Sequence, residues 1–245
     1  MHPSTHNPNP QTDASLEVHL LGVVDFESCL FLQDRLVYEL SGRSDRQGAV
    51  LVCEHPPLVT IGREGSRAQL TVEPEALAAR QLDVRWLNRG GGCVVHAPGQ
   101  LAIYPILPLQ RLGLGLNEYR QALEDTVLDV CREMHICARR DPDSAGVLGR
   151  GGRVAVVGAA VKSWVSHHGL FVNVCPALEW QRLVAPPAGD ARWSSLAAER
   201  LRPVTMHAAR EGLIRNLAAR CGYQRYHLYT GHPLLRRTRR IVAYA

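Results

Sequence analysis

The segment from Gly152 to Val174 constrains the fold most, because it alternates β-branched with small residues and lacks helical spacing. Such a pattern predicts two consecutive strands. The other strand-like runs occur in clusters broken by single helices, which favours a mixed α+β domain with much antiparallel sheet. Further strands are predicted over 16–24, 49–55, 58–61, 84–88 and 101–107.

Three longer segments carry helix signals. Asp25 is placed to cap a helix with apolar residues at i, i+3, i+4 spacing up to Leu40, and Asn117 to cap a second helix. A third helix is predicted from about Thr205 to Ala219, and 74–81 reads as a short one. The expected architecture is a largely antiparallel mixed sheet with flanking helices.

The composition indicates an ordinary globular protein. Of 245 residues, 46% are hydrophobic, which is enough for a single large core. The longest apolar runs are strand-sized and far below the roughly 20 residues that span a bilayer. The start lacks a secretory signal. We expect a cytoplasmic monomer without membrane contact, with a disordered tail over 1–15, one domain over 16–230 and a basic tail over 231–245.

The seven cysteines are an odd number and form no CxxC pair or zinc-spaced cluster with histidine. We interpret them as reduced thiols, and the expectation is no metal and no cofactor. Their positions are 29, 53, 93, 131, 137, 175 and 221.

The most specific motif is RGGGCVVHAPGQL, from Arg89 to Leu101, between two predicted strands. Consecutive glycines let backbone amides approach a ligand closely, and such amides can hold a carboxylate or thioester oxygen. His96 and Gln100 would add side-chain hydrogen bonds. A tight loop between strands, without a ligand, remains the alternative interpretation.

Two further motifs contain histidine. HHGLFVNV, from His167 to Val174, follows a predicted strand, and a histidine beside a glycine there can face a pocket. A histidine in the core or on the surface explains the same pattern. HPP, from His55 to Pro57, is by itself only a strand terminator.

Taken together and in this order, these motifs resemble the lipoate-protein ligase B family, the octanoyl-[acyl carrier protein]:protein octanoyltransferases. The resemblance runs from about Leu16 to Ala219. It rests on EHPPLVTIGREG (54–65), RGGGCVVHAPGQLAIYPIL (89–107), LGLGLNEYRQALEDTV (112–127), GGRVAVVGAAVKSWVSHHGLFVNV (151–174) and SSLAAERLRPVTM (194–206).

The resemblance implies the biotin/lipoate protein ligase-like fold. It also implies transfer of an octanoyl group from octanoyl-acyl carrier protein to a lysine of lipoyl domains, those of 2-oxoacid dehydrogenases or the glycine cleavage H protein, in lipoate biosynthesis. The acyl pocket of the family maps here onto Arg89, Gly90, Gly91, Gly92, Cys93, Val94, Val95, His96, Val156, Val157, Gly158, Gly169, Leu170 and Phe171.

The chain departs from the family at its catalytic pair, a cysteine in a PCG motif and a nearby lysine. Aligned without a gap, the cysteine position holds Pro187 and the lysine position holds Arg153. Arginine stays protonated and cannot exchange a proton with a thiol or amine. Cys137, in the loop before the strand of Arg153, is the leading replacement nucleophile, with Cys93 and Cys175 as weaker candidates.

Other interpretations remain open. The lysine of the lipoyl domain could attack the thioester directly, with His96, His167 or His168 as the base. The chain could instead be a catalytically inactive relative that binds acyl chains, acyl carrier protein or lipoyl domains. Nucleic-acid binding through RGGG and GRGGR ranks last, because interleaved aromatic residues are lacking. An adenylating ligase is disfavoured, since it needs a lysine where Arg153 stands.

Overall fold

A computed structural model describes residues 14–185, 192–200 and 202–235. The strands are β1 (Ser15–Val23), β2 (Gly48–Glu54), β3 (Leu58–Ile61), β4 (Val84–Trp86), β5 (Cys93–His96), β6 (Gln100–Ile106), β7 (Arg139–Arg140), β8 (Gly146–Leu148), β9 (Arg153–Lys162), β10 (Val165–Asn173) and β11 (Arg225–Thr230). The helices are α1 (Phe26–Ser41), α2 (Pro74–Ala79), α3 (Leu109–Leu112), α4 (Leu116–Glu133), α5 (Leu178–Gln181), α6 (Leu196–Glu199) and α7 (Met206–Arg220).

Two sheets organise these elements. The larger has eight strands in the order β11-β1-β2-β6-β10-β9-β8-β7, and the smaller has three in the order β4-β3-β5. In the larger sheet β1 pairs in parallel with β2 and β11, and the other neighbours are antiparallel. The predicted α+β class with a mixed, largely antiparallel sheet is therefore confirmed.

The hairpin predicted over 152–174 is confirmed as β9 and β10. Nearly all of its residues are buried, which explains why the segment is β-branched and apolar over most of its length. Its two-residue turn is Ser163-Trp164, with φ values of 51° and 58°. Two positive φ angles match a primed hairpin turn, formed here without glycine or asparagine.

The helix predictions were correct in position and wrong in one cap. Asp25 caps α1 by accepting a hydrogen bond of 2.9 Å from the Ser28 amide, and Thr205 caps α7 in the same way. Helix α4 begins at Leu116 after Gly115, so Asn117 lies inside the helix and is not its cap. Strands β7, β8 and β11 are too short or too polar to have been predicted.

Three apolar clusters fill the spaces around the sheets. The first lies between the large sheet and helices α4 and α7, and the second lies beneath α1 on the opposite face. The third joins the small sheet to α2 and to the segment around Leu183. Within the described residues, no helix is long and apolar enough to cross a membrane.

Candidate functional site

The glycine-rich loop between β4 and β5 packs directly on the large sheet. The Gly90 amide donates to the carbonyl of Ala159 at 2.9 Å, and the Gly91 amide donates to the Glu64 carboxylate at 3.1 Å. Gly91 has φ 74°, a conformation that glycine adopts without strain. These two amides are thus engaged within the protein. That amides of this loop hold a ligand oxygen stays a prediction, and in this conformation Gly90 and Gly91 donate elsewhere.

Arg89, at the start of this loop, is completely buried. One terminal nitrogen donates to Gly90 O at 2.9 Å, and the other donates to Thr60 O at 3.1 Å and Thr60 Oγ1 at 2.7 Å. The guanidinium lies 5.6 Å from the centre of the Phe171 ring. No carboxylate in the described part of the chain forms an ion pair with it. Burial lowers the Arg89 pKa to about 10, so it remains a cation at neutral pH.

Gly158 provides the space that Arg89 occupies. A Cβ at this position would lie 3.0 Å from Arg89 Nη1 and 3.2 Å from the Phe171 ring. In the hairpin register, Gly158 is paired with Gly169. Gly158 leaves room for the loop, whereas a Cβ at Gly169 would lie 2.5 Å from the carbonyl oxygen of Ile103 on β6. Arg89, Gly90, Gly158 and Phe171 therefore meet at one place, as the resemblance implied.

Not all of the expected pocket residues face this place. Val156 and Phe171 pack in the cluster on the α1 side, together with Val94. Val157 and Leu170 pack in the cluster against α4 and α7, on the other face of the sheet. Neighbouring residues of a strand point to opposite faces, so a continuous run cannot line one pocket with all of its side chains.

His96 is buried and both of its ring nitrogens are engaged. Thr60 Oγ1 lies 3.0 Å from Nε2, and Gln100 Oε1 lies 2.9 Å from Nδ1. This network assigns the proton to Nδ1, with Thr60 donating to Nε2. Burial first, and then the neighbouring His55, lower the pKa of His96 well below its usual range. In this conformation the lone pair on Nε2 of His96 accepts from Thr60. His96 therefore cannot act as the base that takes a proton from the acceptor lysine.

Gln100 extends the buried hydrogen-bond chain across the sheet. Its amide donates to Val95 O at 2.9 Å and to Asn173 Oδ1 at 3.0 Å, and Asn173 donates to Ser194 O at 3.1 Å. Together with Thr60 and His96, these side chains connect Arg89 to the segment that precedes α6. Such a buried network favours one arrangement of these side chains, although Nε of Arg89 has no hydrogen-bond partner among the described residues.

His167 and His168 lie beside the glycine pair on β10. Burial lowers the pKa of both, that of His168 to about 3. The His168 amide donates to Gln33 Oε1 at 2.8 Å, and its backbone has φ 51°. His167 is half-buried. Both rings are neutral at physiological pH. Of the three histidines predicted as possible bases, His167 and His168 are therefore the two that can still accept a proton.

We expect His168 to weaken the fold in acid. Its folded pKa lies below the ordinary 6.5, so the unfolded chain takes up the proton first, and stability is lost as pH falls from about 6.5 towards 3. This residue contributes a loss of about 1.4 kcal/mol per pH unit in that range. Urea unfolding at several pH values should give His168→Asn a shallower decline than the parent. His207→Asn, on the exposed face of α7, is the control, and equal slopes for all three chains would contradict the prediction.

Arg153, at the position of the family lysine, is held by acidic and hydroxyl partners. It forms a buried ion pair with Asp141, and its Nη1 donates to Ser144 Oγ at 2.6 Å. Ser144 Oγ in turn donates to the Asp141 carboxylate at 3.2 Å. Burial lowers the pKa of Arg153, and Asp141 acts in the opposite direction. The sequence analysis did not predict Asp141 as the partner of Arg153. An acidic residue in the segment before a strand that begins with a buried arginine could have indicated this ion pair.

Pro187, at the position of the family cysteine, lies outside the described residues. The three alternative cysteines have different surroundings. Cys93 is buried, its thiol donates to Ser66 O at 3.3 Å, and burial raises its pKa. Cys175 is exposed, and partial burial together with Glu54 raises its pKa.

Cys137 is exposed and precedes the edge strand β7 by two residues. Arg139 pairs with Leu148, which pairs with Arg153, so Arg139 lies two strands, roughly 10 Å, from Arg153. Gly158 lies roughly 16 Å further along β9, in the direction away from Cys137. That Cys137 replaces the family nucleophile stays a prediction. It requires the thioester carbonyl of the substrate to lie near the Arg153 end of β9, not near Gly158.

Comparison with known proteins gives consistent results. Residues 25–218 match the family model described as the lipoyl protein ligase A/B catalytic domain. An octanoyltransferase from Syntrophobacter fumaroxidans is 38% identical over 164 residues, covering 67% of this chain and 72% of that protein. One from a Roseiflexus species is 33% identical over 211 residues, covering 84% and 87%.

A solved structure supports the fold. The bipartite lipoate protein ligase of Thermoplasma acidophilum, studied with its E2 lipoyl domain, superposes with a TM-score of 0.72 at 14% identity. The superposition covers 90% of this chain and 89% of that one. At this identity the likeness concerns the fold, and it confirms the expected ligase-like architecture.

Proposed function

Because this chain belongs to the lipoate-protein ligase B family, we propose that it transfers an octanoyl group from acyl carrier protein to a lysine of a lipoyl domain. The relatives named octanoyltransferase, which match most of the chain, support this reaction. The observation that carries the proposal is the packing of the Arg89 loop on Gly158 and Phe171, the residues to which the resemblance assigns the acyl pocket.

The chemistry of this place suits an acyl thioester. An apolar wall that includes Val156 and Phe171 offers burial to an eight-carbon chain, worth about 5 kcal/mol at roughly 0.8 kcal/mol per CH₂ before ordering costs. Arg89 is a buried cation without a carboxylate partner among the described residues, and it is a suitable neighbour for a thioester oxygen that gains negative charge.

The acyl transfer proceeds, in this proposal, without an acyl-enzyme. The amine nitrogen of the acceptor lysine bonds to the thioester carbon, the carbon–sulfur bond breaks, and the acyl carrier protein thiolate leaves. The proton lost by the amine passes through neutral His167 to that thiolate. Arg153 cannot serve this role, because its guanidinium is paired with Asp141 and stays protonated. The thiols of Cys93 and Cys175 have raised pKa values, which disfavours thiolate attack.

A binding role without catalysis is the second candidate. Pro187 offers no nucleophile, and the Arg153–Asp141 pair offers no proton acceptor like the family lysine. In that case the same wall would hold the acyl chain of octanoyl-acyl carrier protein, and no group would be transferred.

Intact-mass spectrometry separates these possibilities. The chain is mixed with octanoyl-acyl carrier protein and, in separate reactions, with an unmodified lipoyl domain of a 2-oxoacid dehydrogenase or with glycine cleavage H protein, without ATP. We expect an octanoyl mass gain on the acceptor, no adduct on this chain, and the same result for Cys137→Ala. A variant with Arg153→Lys and Pro187→Cys serves as the control in which a thioester adduct can form.

Other mass changes would contradict direct transfer. An adduct on this chain that disappears with Cys137→Ala would replace direct transfer by an acyl-cysteine route. If no mass changes while an intact family enzyme works in parallel, transfer is excluded. Binding of octanoyl-acyl carrier protein in that case would support the binding role.

A further inference from the structure

A second cluster of chemically competent side chains lies beneath α1, apart from the Arg89 loop. Cys29 on α1 and Cys53 on β2 have their sulfur atoms 4.0 Å apart, and Cys53 Sγ lies 3.5 Å from His55 Nε2. The three possible ligand atoms all lie within 4.8 Å of one another. All three residues are buried, with at most 2% exposure. We call these residues the Cys29 cluster.

The imidazole of the Cys29 cluster is oriented as in a metal site. His55 Nδ1 lies 2.8 Å from the carbonyl of Val24, so it carries the proton and donates it there. Nε2 therefore carries the lone pair, which accepts from the Tyr104 hydroxyl at 2.7 Å and lies 3.5 Å from Cys53 Sγ. A ligating histidine almost always donates its other nitrogen to such a carbonyl or carboxylate.

The distances fit a tetrahedral zinc ion. Bonds of about 2.3 Å to sulfur and about 2.0 Å to nitrogen place two sulfur atoms roughly 3.8 Å apart, and a sulfur and a nitrogen roughly 3.5 Å apart. The sulfur–sulfur separation of 4.0 Å and the Cys53–His55 separation of 3.5 Å need only small adjustments. Cys29 Sγ lies within 4.8 Å of His55 Nε2, so this pair must approach by up to roughly 1.3 Å. The Tyr104 hydroxyl, 2.7 Å from His55 Nε2, is the nearest additional oxygen.

The charge balance also favours a divalent cation. Two thiolates and one Zn²⁺ sum to zero, so the complex avoids the cost of burying a net charge. Binding releases the two thiol protons to solvent and requires no oxidant. Gln33 Nε2 lies 3.9 Å from Cys29 Sγ and donates towards it, which stabilises charge on that sulfur.

We propose that Cys29, Cys53 and His55 bind one zinc ion, with the protonated phenol oxygen of Tyr104 as the fourth donor, so that the net charge of the complex is zero. Ligation replaces the hydrogen bond between Tyr104 and His55, and the two groups separate by roughly half an ångström to reach zinc geometry. The ion would tie the first turn of α1 to the end of β2. It would also support the site, because the His55 ring contacts that of His96 at 5.7 Å between centres.

The first test uses the full chain produced with added zinc. After gel filtration, elemental analysis should find one zinc ion per chain. Replacement by Co²⁺ should give the near-ultraviolet bands of thiolate-to-cobalt charge transfer, which report sulfur ligands directly. Neither measurement requires a substitution, so both remain decisive if a variant fails to fold.

Single substitutions then assign the ligands. Cys29→Ala and Cys53→Ala are expected to weaken zinc binding at least tenfold, an order-of-magnitude expectation given that even the loss of an outer-shell partner costs 10–100-fold. Cys221→Ala is the matched control, because Cys221 is also buried but lies outside the Cys29 cluster, and it should keep the zinc. Circular dichroism confirms that each chain is folded.

Three results would overturn the proposal. The first is that the folded parent chain binds zinc at no more than trace stoichiometry, and the second is that both cysteine variants retain it as the control does. Alkylation of the denatured chain could also reveal two missing thiols, indicating a Cys29–Cys53 disulfide in place of a metal site.

Discussion

Replacing Asp141 with alanine is expected to lower the free energy of unfolding by about 3–5 kcal/mol. The substitution leaves the guanidinium of Arg153 buried without its carboxylate, while Arg153 itself has no exposed surface. It also removes the acceptor of the hydrogen bonds from Ser144 and from the Asp143 amide. Because Arg153 takes no direct part in the proposed transfer, we expect octanoyl transfer to fall only in proportion to the loss of folded protein.

Urea unfolding monitored by circular dichroism measures this loss. Glu39→Ala is the control, because it breaks the ion pair of 2.6 Å with Arg35 on the exposed face of α1 and should cost no more than about 1 kcal/mol. Combining Asp141→Leu with Arg153→Met should recover most of the stability, since neither charge is then buried alone. A loss below about 1 kcal/mol for Asp141→Ala would show that the pair is not buried in solution.

Replacing Arg89 with lysine is expected to reduce octanoyl transfer by roughly 100-fold, although the charge is kept. The guanidinium reaches Gly90 O with one nitrogen and both oxygen atoms of Thr60 with the other. A single ammonium cannot span these acceptors. Thr60 then loses the donor that orients its hydroxyl towards His96, and the loop loses its contact with Phe171.

The rate of octanoyl gain by the lipoyl domain measures this effect. Arg67→Lys is the control, because Arg67 is exposed and lies between β3 and α2. We expect it to change the rate by no more than about twofold, as is usual for a neutral surface substitution. Unfolding should show a smaller cost for Arg89→Lys, about 1–3 kcal/mol for acceptors left unsatisfied. Transfer at the parent rate would mean that Arg89 only holds the loop and does not serve the reaction.

The sequence predicted the elements whose side chains alternate or recur regularly. The β9–β10 hairpin, the strands β1, β2 and β6, and helices α1 and α7 follow from such local patterns. Edge strands β7 and β11 were missed, because their residues are mostly exposed and carry no apolar alternation. Helix α4 was predicted with the wrong cap, because Gly115 leaves no side-chain signal for its start.

The motifs also predicted residues that the structure brings together, and their role in binding stays a prediction. Arg89, Gly90, Gly158 and Phe171 meet as the resemblance implied. The sequence could not predict which neighbours on one strand share a face with the loop, and the side chains of Val157 and Leu170 pack on the α4 and α7 side instead. It also could not predict that His96 would have both nitrogens engaged.

By itself, the sequence determined the family, the α+β class, and the replacement of the usual cysteine and lysine by Pro187 and Arg153. Only the tertiary structure decided the partners: Asp141 for Arg153, Thr60 for Arg89, and Cys53 with His55 for Cys29. Local patterns record which face of an element is buried. The charge and the reactivity of a buried group depend on partners that are distant in the sequence. These partners come together only when separate helices and strands pack against one another.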